Sequence, residues 1–422
     1  GPDAGWRQGV RRAAVALALA LVALLLRLRA AFLLPVDADE PTYLAVAQEY
    51  ARLITAGDWA GVVAFNRVLE HPALAKLLYA LQLAIYTPAD VDMAIHYLRA
   101  LAVAFGAAQV LLVSLISPLA GFALAIHTMS IKYTSEVYLE AAPGFFAIAA
   151  MLAFDVWRRR QQLAEMGPAG PDAPRDPAMT QEGSAGSAGA WLLTSAACLG
   201  AAAAGKYPYA VAGLAMLPFL PWRQRAWRTI GAFLLAAGVS FLLLDVSLWA
   251  DPVGRLAQSL SFHPAFSQTA QVTQYGHAWW KPLDYLLHSV PWHPGVFFVG
   301  WDTWIAVLGL LSLPFLWQRS RPWALWLAVG LAVLLVWPTK WPQYTLLVIP
   351  PLCLSLGHGL PEALRWANEH FDLSMYLAPF AAPRLTVIVA VTAGLALALV
   401  LFLEGLLYWQ GHLGWQIVNS HN

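Results

Sequence analysis

Apolar runs long enough to cross a bilayer follow one another along most of the chain, separated by short polar stretches. The runs fall at residues 13–34, 74–86, 97–116, 119–133, 139–157, 191–204, 207–222, 230–249, 296–317, 323–337, 344–360 and 385–409. A continuous apolar run of this kind predicts a helix that satisfies its own backbone hydrogen bonds in lipid. The fold class expected is all-α: a polytopic transmembrane helix bundle.

Positive charges orient the bundle, because loops rich in Arg and Lys stay cytoplasmic. Arg7, Arg11 and Arg12 precede the first run. Arg158, Arg159 and Arg160 open a polar linker over residues 158–189 that is rich in Gly, Pro, Ser and Ala and is expected to be flexible. Arg223, Arg225 and Arg228 form a third cluster, and Arg319 and Arg321 a fourth. All four can lie inside only if an even number of crossings separates neighbours. The run 74–86 breaks that parity. It is short, contains Lys76 and is flanked by Pro72 and Pro88, so it is expected to lie in the outer interface. Eleven spans remain, with the N-terminus inside and the C-terminus outside. Residues 35–96 and 250–295 become large outer loops. The main membrane module is expected over 3–360. Residues 361–422 supply a cytoplasmic connection, a last span and a short outer tail.

Composition agrees with this pattern. Of 422 residues, 59% are hydrophobic and only 12% charged, and the mean hydropathy is +0.59. A soluble domain carries about 25% charged residues. Net charge is +1, which gives nucleic acid no electrostatic footprint. Both cysteines, Cys198 and Cys353, lie in apolar runs, which argues against a disulfide framework. The 20 tryptophans suit long membrane–water boundaries. Gly1-Pro2 reads as a protease-cleavage scar, and no cleavable leader is expected.

The ionisable residues collect on the outer face. The first outer loop opens Asp37-Ala38-Asp39-Glu40-Pro41-Thr42-Tyr43, and carboxylates so close to hydrocarbon must be solvated, paired or used. One reading makes Asp39 an N-cap ahead of Pro41. Glu70-His71-Pro72 precedes another apolar helix. Glu136 and Glu140 lie four apart, on one helix face. Lys206 sits between two apolar stretches that are each short for a crossing, which predicts a depression holding a cation below the headgroups. Gly200 to Lys206 has the spacing of a phosphate-binding P-loop, but Tyr207 stands where Ser or Thr would ligate magnesium and no strand precedes it. A second outer cation, Lys340, is followed by Tyr344. His263, His277, His288 and His293 match no compact metal-ligand spacing.

Together these motifs resemble the GT-C membrane glycosyltransferases, in the branch of protein O-mannosyltransferases and lipid A aminoarabinose transferases. Arg27-x-Arg29, Pro35 and Asp39-Glu40-x-x-Tyr43 resemble the end of the family's first span and its first acidic motif. Glu70-His71-Pro72-x-Leu74 resembles its H-P-P-L or K-P-P-L segment, with Ala73 replacing the second proline. Arg99 opens the next span as in the family. Glu136 or Glu140 stands where an Asp is common in the second acidic segment. Gly205-Lys206-Tyr207 resembles the basic hairpin, and residues 340–351 the late basic segment. The likeness covers roughly 15–360, and no large C-terminal soluble domain of the kind many members carry is expected after the last span.

The resemblance implies interfacial helices in the first outer loop. It also implies transfer of a hexosyl or pentosyl group from a polyprenyl-phosphate donor to a protein, lipid or glycan acceptor. The setting implied is the outer face of a bacterial cytoplasmic membrane. Asp39 is the expected base, with Glu40 as its nearest substitute. Lys206 and Lys340 are expected on the donor phosphate, with Arg27 and Arg29 as further candidates. Glu70, His71, Glu136, Glu140, Tyr43, Tyr207 and Tyr344 are expected to line the substrate pocket. A divalent metal, Mg or Mn, is a candidate cofactor on Asp39, Glu136 and Glu140. The rival class is a transporter or flippase of lipid-linked sugar, whose usual sign is an internal repeat. No convincing repeat is found.

Overall fold

The computed structural model describes residues 2–165, 181–222, 226–290, 293, 295–297, 300–371 and 394–406. Every regular element among them is helical. Five helices are long and apolar enough to cross a membrane singly: Gly9–Leu33, Val91–Ile116, Ala141–Leu163, Ala188–Gly205 and Trp227–Leu244. These belong to α1 (Pro2–Leu33), α5 (Val91–Ile116), α8 (Ala141–Glu165), α9 (Gln181–Gly205) and α11 (Trp227–Leu244).

Several other expected spans are composite. The run 119–133 is divided into α6 (Pro118–Ile126) and α7 (Thr128–Tyr133). Its break has a cause outside the segment. Asp302 accepts the Thr128 N–H at 2.9 Å and the Thr128 hydroxyl, so a carboxylate from a distant helix caps α7. His127, extended at φ −67° and ψ 115°, makes the corner. The run 207–222 becomes a 3₁₀ turn at Tyr207–Ala210, α10 (Val211–Met216) and a second 3₁₀ turn at Leu217–Phe219. Prolines 208 and 218 supply the punctuation.

Residues 35–96, the first expected outer loop, hold α2 (Glu40–Thr55), α3 (Trp59–Ala64) and α4 (Leu74–Ile85). At 12 residues, α4 is too short to span. Residues 250–295, the second expected outer loop, include α12 (Pro252–Phe266), α13 (Ala270–Thr273) and α14 (Lys281–Leu287). It is pinned onto the first. Arg255 donates to the Val63 and Ala64 carbonyls at 2.7 and 3.1 Å, and Ser259 to the Leu69 carbonyl at 2.5 Å. The remaining membrane elements are α15 (Asp302–Leu311), α16 (Leu313–Arg319), α17 (Arg321–Val336), α18 (Ile349–Phe371) and a helix at Gly394–Leu406.

The linker 158–189 is helical at both ends, since α8 runs to Glu165 and α9 starts at Gln181. Its middle, Arg223 and Arg225, and parts of the last expected span lie outside the described residues.

Helices pack closely through small residues, as expected where lipid removes most of the hydrophobic drive between them. At Gly200 of α9, a β-carbon would lie 2.7 Å from the Ser240 β-carbon of α11. Polar pairing is sorted to the two ends of the bundle. At the basic end, Asp155 accepts the Trp323 indole N–H at 2.7 Å and the Ser320 hydroxyl at 3.3 Å. The carboxylate-rich cluster occupies the other end. Exposed tryptophans border both: Trp222, Trp227 and Trp317 on the basic side, Trp249, Trp280, Trp301 and Trp304 on the other. The protein is a multi-pass membrane protein.

Candidate active site

The site begins where α1 ends. Glu40 has no exposed surface and forms an ion pair with Arg99 of α5 at 2.5 Å, with a second hydrogen bond at 2.8 Å. The same carboxylate accepts the Val137 N–H at 2.8 Å and the Asp37 N–H at 2.9 Å. Arg99 in turn donates to the carbonyls of Ala31, Leu34 and Pro35. Glu40 thus ties the first acidic motif to the second. It has no oxygen left for an acceptor hydroxyl, so its expected role as substitute base gives way to a positioning role.

Asp39 behaves differently. It occupies the N-cap position of α2, yet its side chain makes no capping hydrogen bond. The capping role offered by its place before Pro41 is therefore not used. Asp39 is half-buried. Burial, and then the neighbouring Asp37 charge, push its carboxyl above the usual carboxylate range, with Lys206 pulling the other way. Its environment suits a proton acceptor working nearer neutrality.

Asp37 was not singled out as a site residue, but it is held in place. It accepts the Tyr138 hydroxyl at 2.6 Å and the Lys132 ammonium at 3.0 Å. Burial alone would raise its carboxyl, but Lys132 and these hydrogen bonds bring it below the usual range. Lys132 also takes both oxygens of Glu136, at 2.7 and 2.9 Å. Burial holds the Glu136 carboxyl up, at about 8, against the pull of Lys132. The signal that would have found Lys132 is its i, i+4 spacing to Glu136.

The second acid, Glu140, is the one facing the pocket. Its Oε1 pairs with the Lys206 ammonium, and its Oε2 is buried with no hydrogen-bond partner among the described residues. Lys206, 2% exposed, also lies over the Tyr344 ring, 5.0 Å from its centroid. Glu140, Lys206, Tyr209, Trp337, Gln343 and Tyr344 line a narrow cleft.

Glu70 and His71 approach from the other side. The Tyr43 and His71 rings are 6.3 Å apart, and those of His71 and His263 6.0 Å. Trp337 continues the row at 5.1 Å from His263. Burial raises the Glu70 carboxyl. Burial, then the charge of Lys206, keeps His71 well below its ordinary value and therefore neutral. Tyr207 donates to Asp245 at 3.3 Å, outside the cleft.

Three expected phosphate ligands are committed elsewhere. Lys340 donates to the carbonyls of Leu334, Leu335 and Trp337 at 3.1, 2.8 and 2.5 Å, closing the C-terminus of α17. Arg27 has no exposed surface. It holds the Thr134 and Ser130 hydroxyls at 2.8 and 3.0 Å, and it reaches the Leu124 and Ala125 carbonyls that the break in α6 leaves open. Arg29 binds the Val296 and Gly295 carbonyls and lies 3.6 Å from Glu404.

The three candidate metal ligands do not form a ligand set. Glu136 spends both oxygens on Lys132. No group of three or more His, Cys, Asp or Glu side chains is placed to hold an ion among the described residues.

No protein-family model matches the chain. It is 29% identical over 193 residues to the undecaprenyl phosphate-alpha-4-amino-4-deoxy-L-arabinose arabinosyl transferase of Pseudomonas aeruginosa strain UCBPP-PA14. It is 30% identical to the protein of the same name from strain LESB58. Each match covers 42% of this chain and 32% of the relative, so the matched region is about a third of the relatives' length. Two solved structures of ArnT from Cupriavidus metallidurans share the fold. The apo form superposes with a TM-score of 0.54 at 17% identity, covering 98% of this chain and 78% of that one. The form bound to undecaprenyl phosphate superposes with a TM-score of 0.51 at 16% identity, covering 97% and 77%. The chain thus shares the helical fold of these ArnT structures, and over 193 residues its sequence is similar to the arabinosyl transferases.

Proposed function

We propose that this protein transfers a hexosyl or pentosyl group from a polyprenyl-phosphate donor to an acceptor hydroxyl on a protein, lipid or glycan. The observation that carries this reading is the pairing of two features at one end of the bundle. Asp39 is a carboxylate that its own helix does not use as a cap. Lys206, whose charge acts on Asp39, is a buried cation on the wall of a cleft. A base and a cation so placed suit an attack at an anomeric carbon. The arabinosyl transferases it resembles, and the undecaprenyl phosphate bound to ArnT, support the lipid-phosphate class of donor.

In the reaction, the acceptor oxygen attacks the anomeric carbon as Asp39 takes the hydroxyl proton. The bond from that carbon to the phosphate oxygen breaks, and the polyprenyl phosphate leaves with the electron pair. Lys206 stabilises the charge on the leaving phosphate. A single displacement inverts the anomeric centre. Glu140 pairs with Lys206, and an arriving phosphate would compete with it for that ammonium. Glu70, His71, Tyr43 and Tyr344 form the walls around the donor head.

The proposed setting is the bacterial cytoplasmic membrane, with this end of the bundle facing outward. The test is reconstitution in liposomes with radiolabelled polyprenyl-phosphate sugars and a membrane extract. Label passing from lipid to an acceptor supports the reading. Label that crosses the bilayer still attached to its lipid would instead identify a transporter.

A further inference from the structure

The turn over residues 67–73 carries Glu70 and His71 to the site, and its backbone is unusual. Val68 has φ +59°. This is the left-handed region, which a β-branched residue avoids because its side chain crowds the following carbonyl. Such a conformation persists only where the surroundings hold it.

What holds it is Lys76, on the first turns of α4. Its ammonium donates to the Arg67, Val68 and His71 carbonyls at 3.4, 3.1 and 2.7 Å. The His71 N–H closes the turn onto the Val68 carbonyl at 3.2 Å. Lys76 is 1% exposed, and no ion pair joins it to a carboxylate among the described residues. Burying an ammonium is costly unless its hydrogen bonds are satisfied, and here the backbone of one turn satisfies all three. Other groups hold the turn elsewhere. Ser259 donates to the Leu69 carbonyl, and Asp245 accepts the Ala73 N–H at 2.9 Å. Neither reaches Val68.

We infer that Lys76 is a positioning residue for the proposed transfer: its ammonium clamps the strained Val68 turn that sets Glu70 and His71 beside the donor head. The link to transfer rests on the glycosyltransferase reading, but the clamp itself does not.

The experiment uses the full purified chain in lipid nanodiscs as wild type, Lys76→Met, Val68→Gly and the double variant. Two quantities are read: backbone hydrogen exchange over residues 66–73, and donor KM and kcat with a polyprenyl-phosphate sugar. Lys76→Met is expected to speed exchange in that segment and to raise donor KM about 10-fold, more than it lowers kcat. Val68→Gly in the same chain is expected to recover most of both losses, because glycine adopts positive φ freely. A merely structural lysine would not be rescued by relief of strain 8 residues away in sequence. If Lys76→Met does not fold, Lys76→Gln is read in its place. Unchanged exchange in the folded lysine variant overturns the clamp. So does a double variant no better than the single. Faster exchange with wild-type KM overturns the link to catalysis. If wild-type protein transfers no sugar, the functional reading fails and the exchange arm alone decides the clamp.

Discussion

Glu140 gives one carboxylate oxygen to Lys206 and keeps the other buried without a hydrogen-bond partner among the described residues. The two residues are 66 positions apart, and neither is exposed by more than 2%. A buried pair so incompletely satisfied is a poor device for stability. It is better suited to exchange partners when an anion arrives.

The first prediction separates those two roles. Lys206→Ala is expected to abolish measurable donor binding, but it also strands a buried carboxylate and destabilises the fold by about 3–5 kcal/mol. Adding Glu140→Gln removes the stranded charge. The double variant should regain most of its thermal stability in detergent while donor binding stays lost. Wild-type affinity for polyprenyl phosphate in that folded double variant would end the phosphate assignment.

Asp39→Asn preserves shape and removes the base. Turnover is expected to fall by about 100-fold or more with donor binding near wild type. The pH profile gives an independent check. Burial and then Asp37 raise the Asp39 carboxyl, so it takes up its proton at a higher pH than a free carboxylate. Activity should therefore fall on the acid side sooner than an ordinary carboxylate would require. Asp37→Asn removes the neighbouring charge, and the acid limb should move to lower pH. An acid limb that stays in place would take the base role from Asp39.

Glu40 and Arg99 should show the opposite pattern. Both are fully buried and paired, so Glu40→Ala or Arg99→Ala is expected to cost about 3–5 kcal/mol. Thermal unfolding would record the loss. Protein that does fold should retain far more turnover than Asp39→Asn, since the pair holds the loops without touching the reacting atoms. A folded Glu40→Gln with turnover as low as Asp39→Asn would return Glu40 to the chemistry.

Lys340→Ala tests whether its three carbonyl contacts are its main task. Loss of this closure of α17 is expected to cost about 1 kcal/mol of stability, with donor affinity changed less than threefold. A tenfold or larger loss of affinity at wild-type stability would make Lys340 a phosphate ligand.

Sidedness can be read directly. Cysteines at Asp58 and Gly276 should react with an impermeant thiol reagent added to intact cells, while one at Gln161 should not. Labelling of the Gln161 position from outside would invert the bundle and its proposed site.

Much of the architecture was legible because membrane physics acts locally along a chain. Lipid cannot solvate a bare peptide group, so the apolar runs marked helices, and Pro72 with the short run after it marked α4 as too short to cross. The sorting of carboxylates and basic clusters to opposite ends followed from their spacing along those runs. Asp39 and Lys206 stood out for the same reason: each is ionisable beside hydrocarbon.

What the tertiary structure decided was which of those charges are already spent. Glu40 and Asp39 are adjacent in sequence and alike in chemistry, yet only Glu40 meets Arg99, 59 residues away. Glu136 and Glu140 are equivalent by spacing, and their roles part because Lys132 lies within reach of one and Lys206 of the other. Arg27 and Lys340 are spent on open helix carbonyls, and those openings appear only once the helices have broken and packed. Asp302 caps α7 from 174 residues away. Such pairings depend on side chains meeting across helices, and neither periodicity nor charge along one segment encodes who will be opposite. The sequence therefore established the membrane bundle and the end where its ionisable residues collect. The packed structure narrows the proposed site to Asp39, Glu140 and Lys206, because the other candidates meet partners elsewhere.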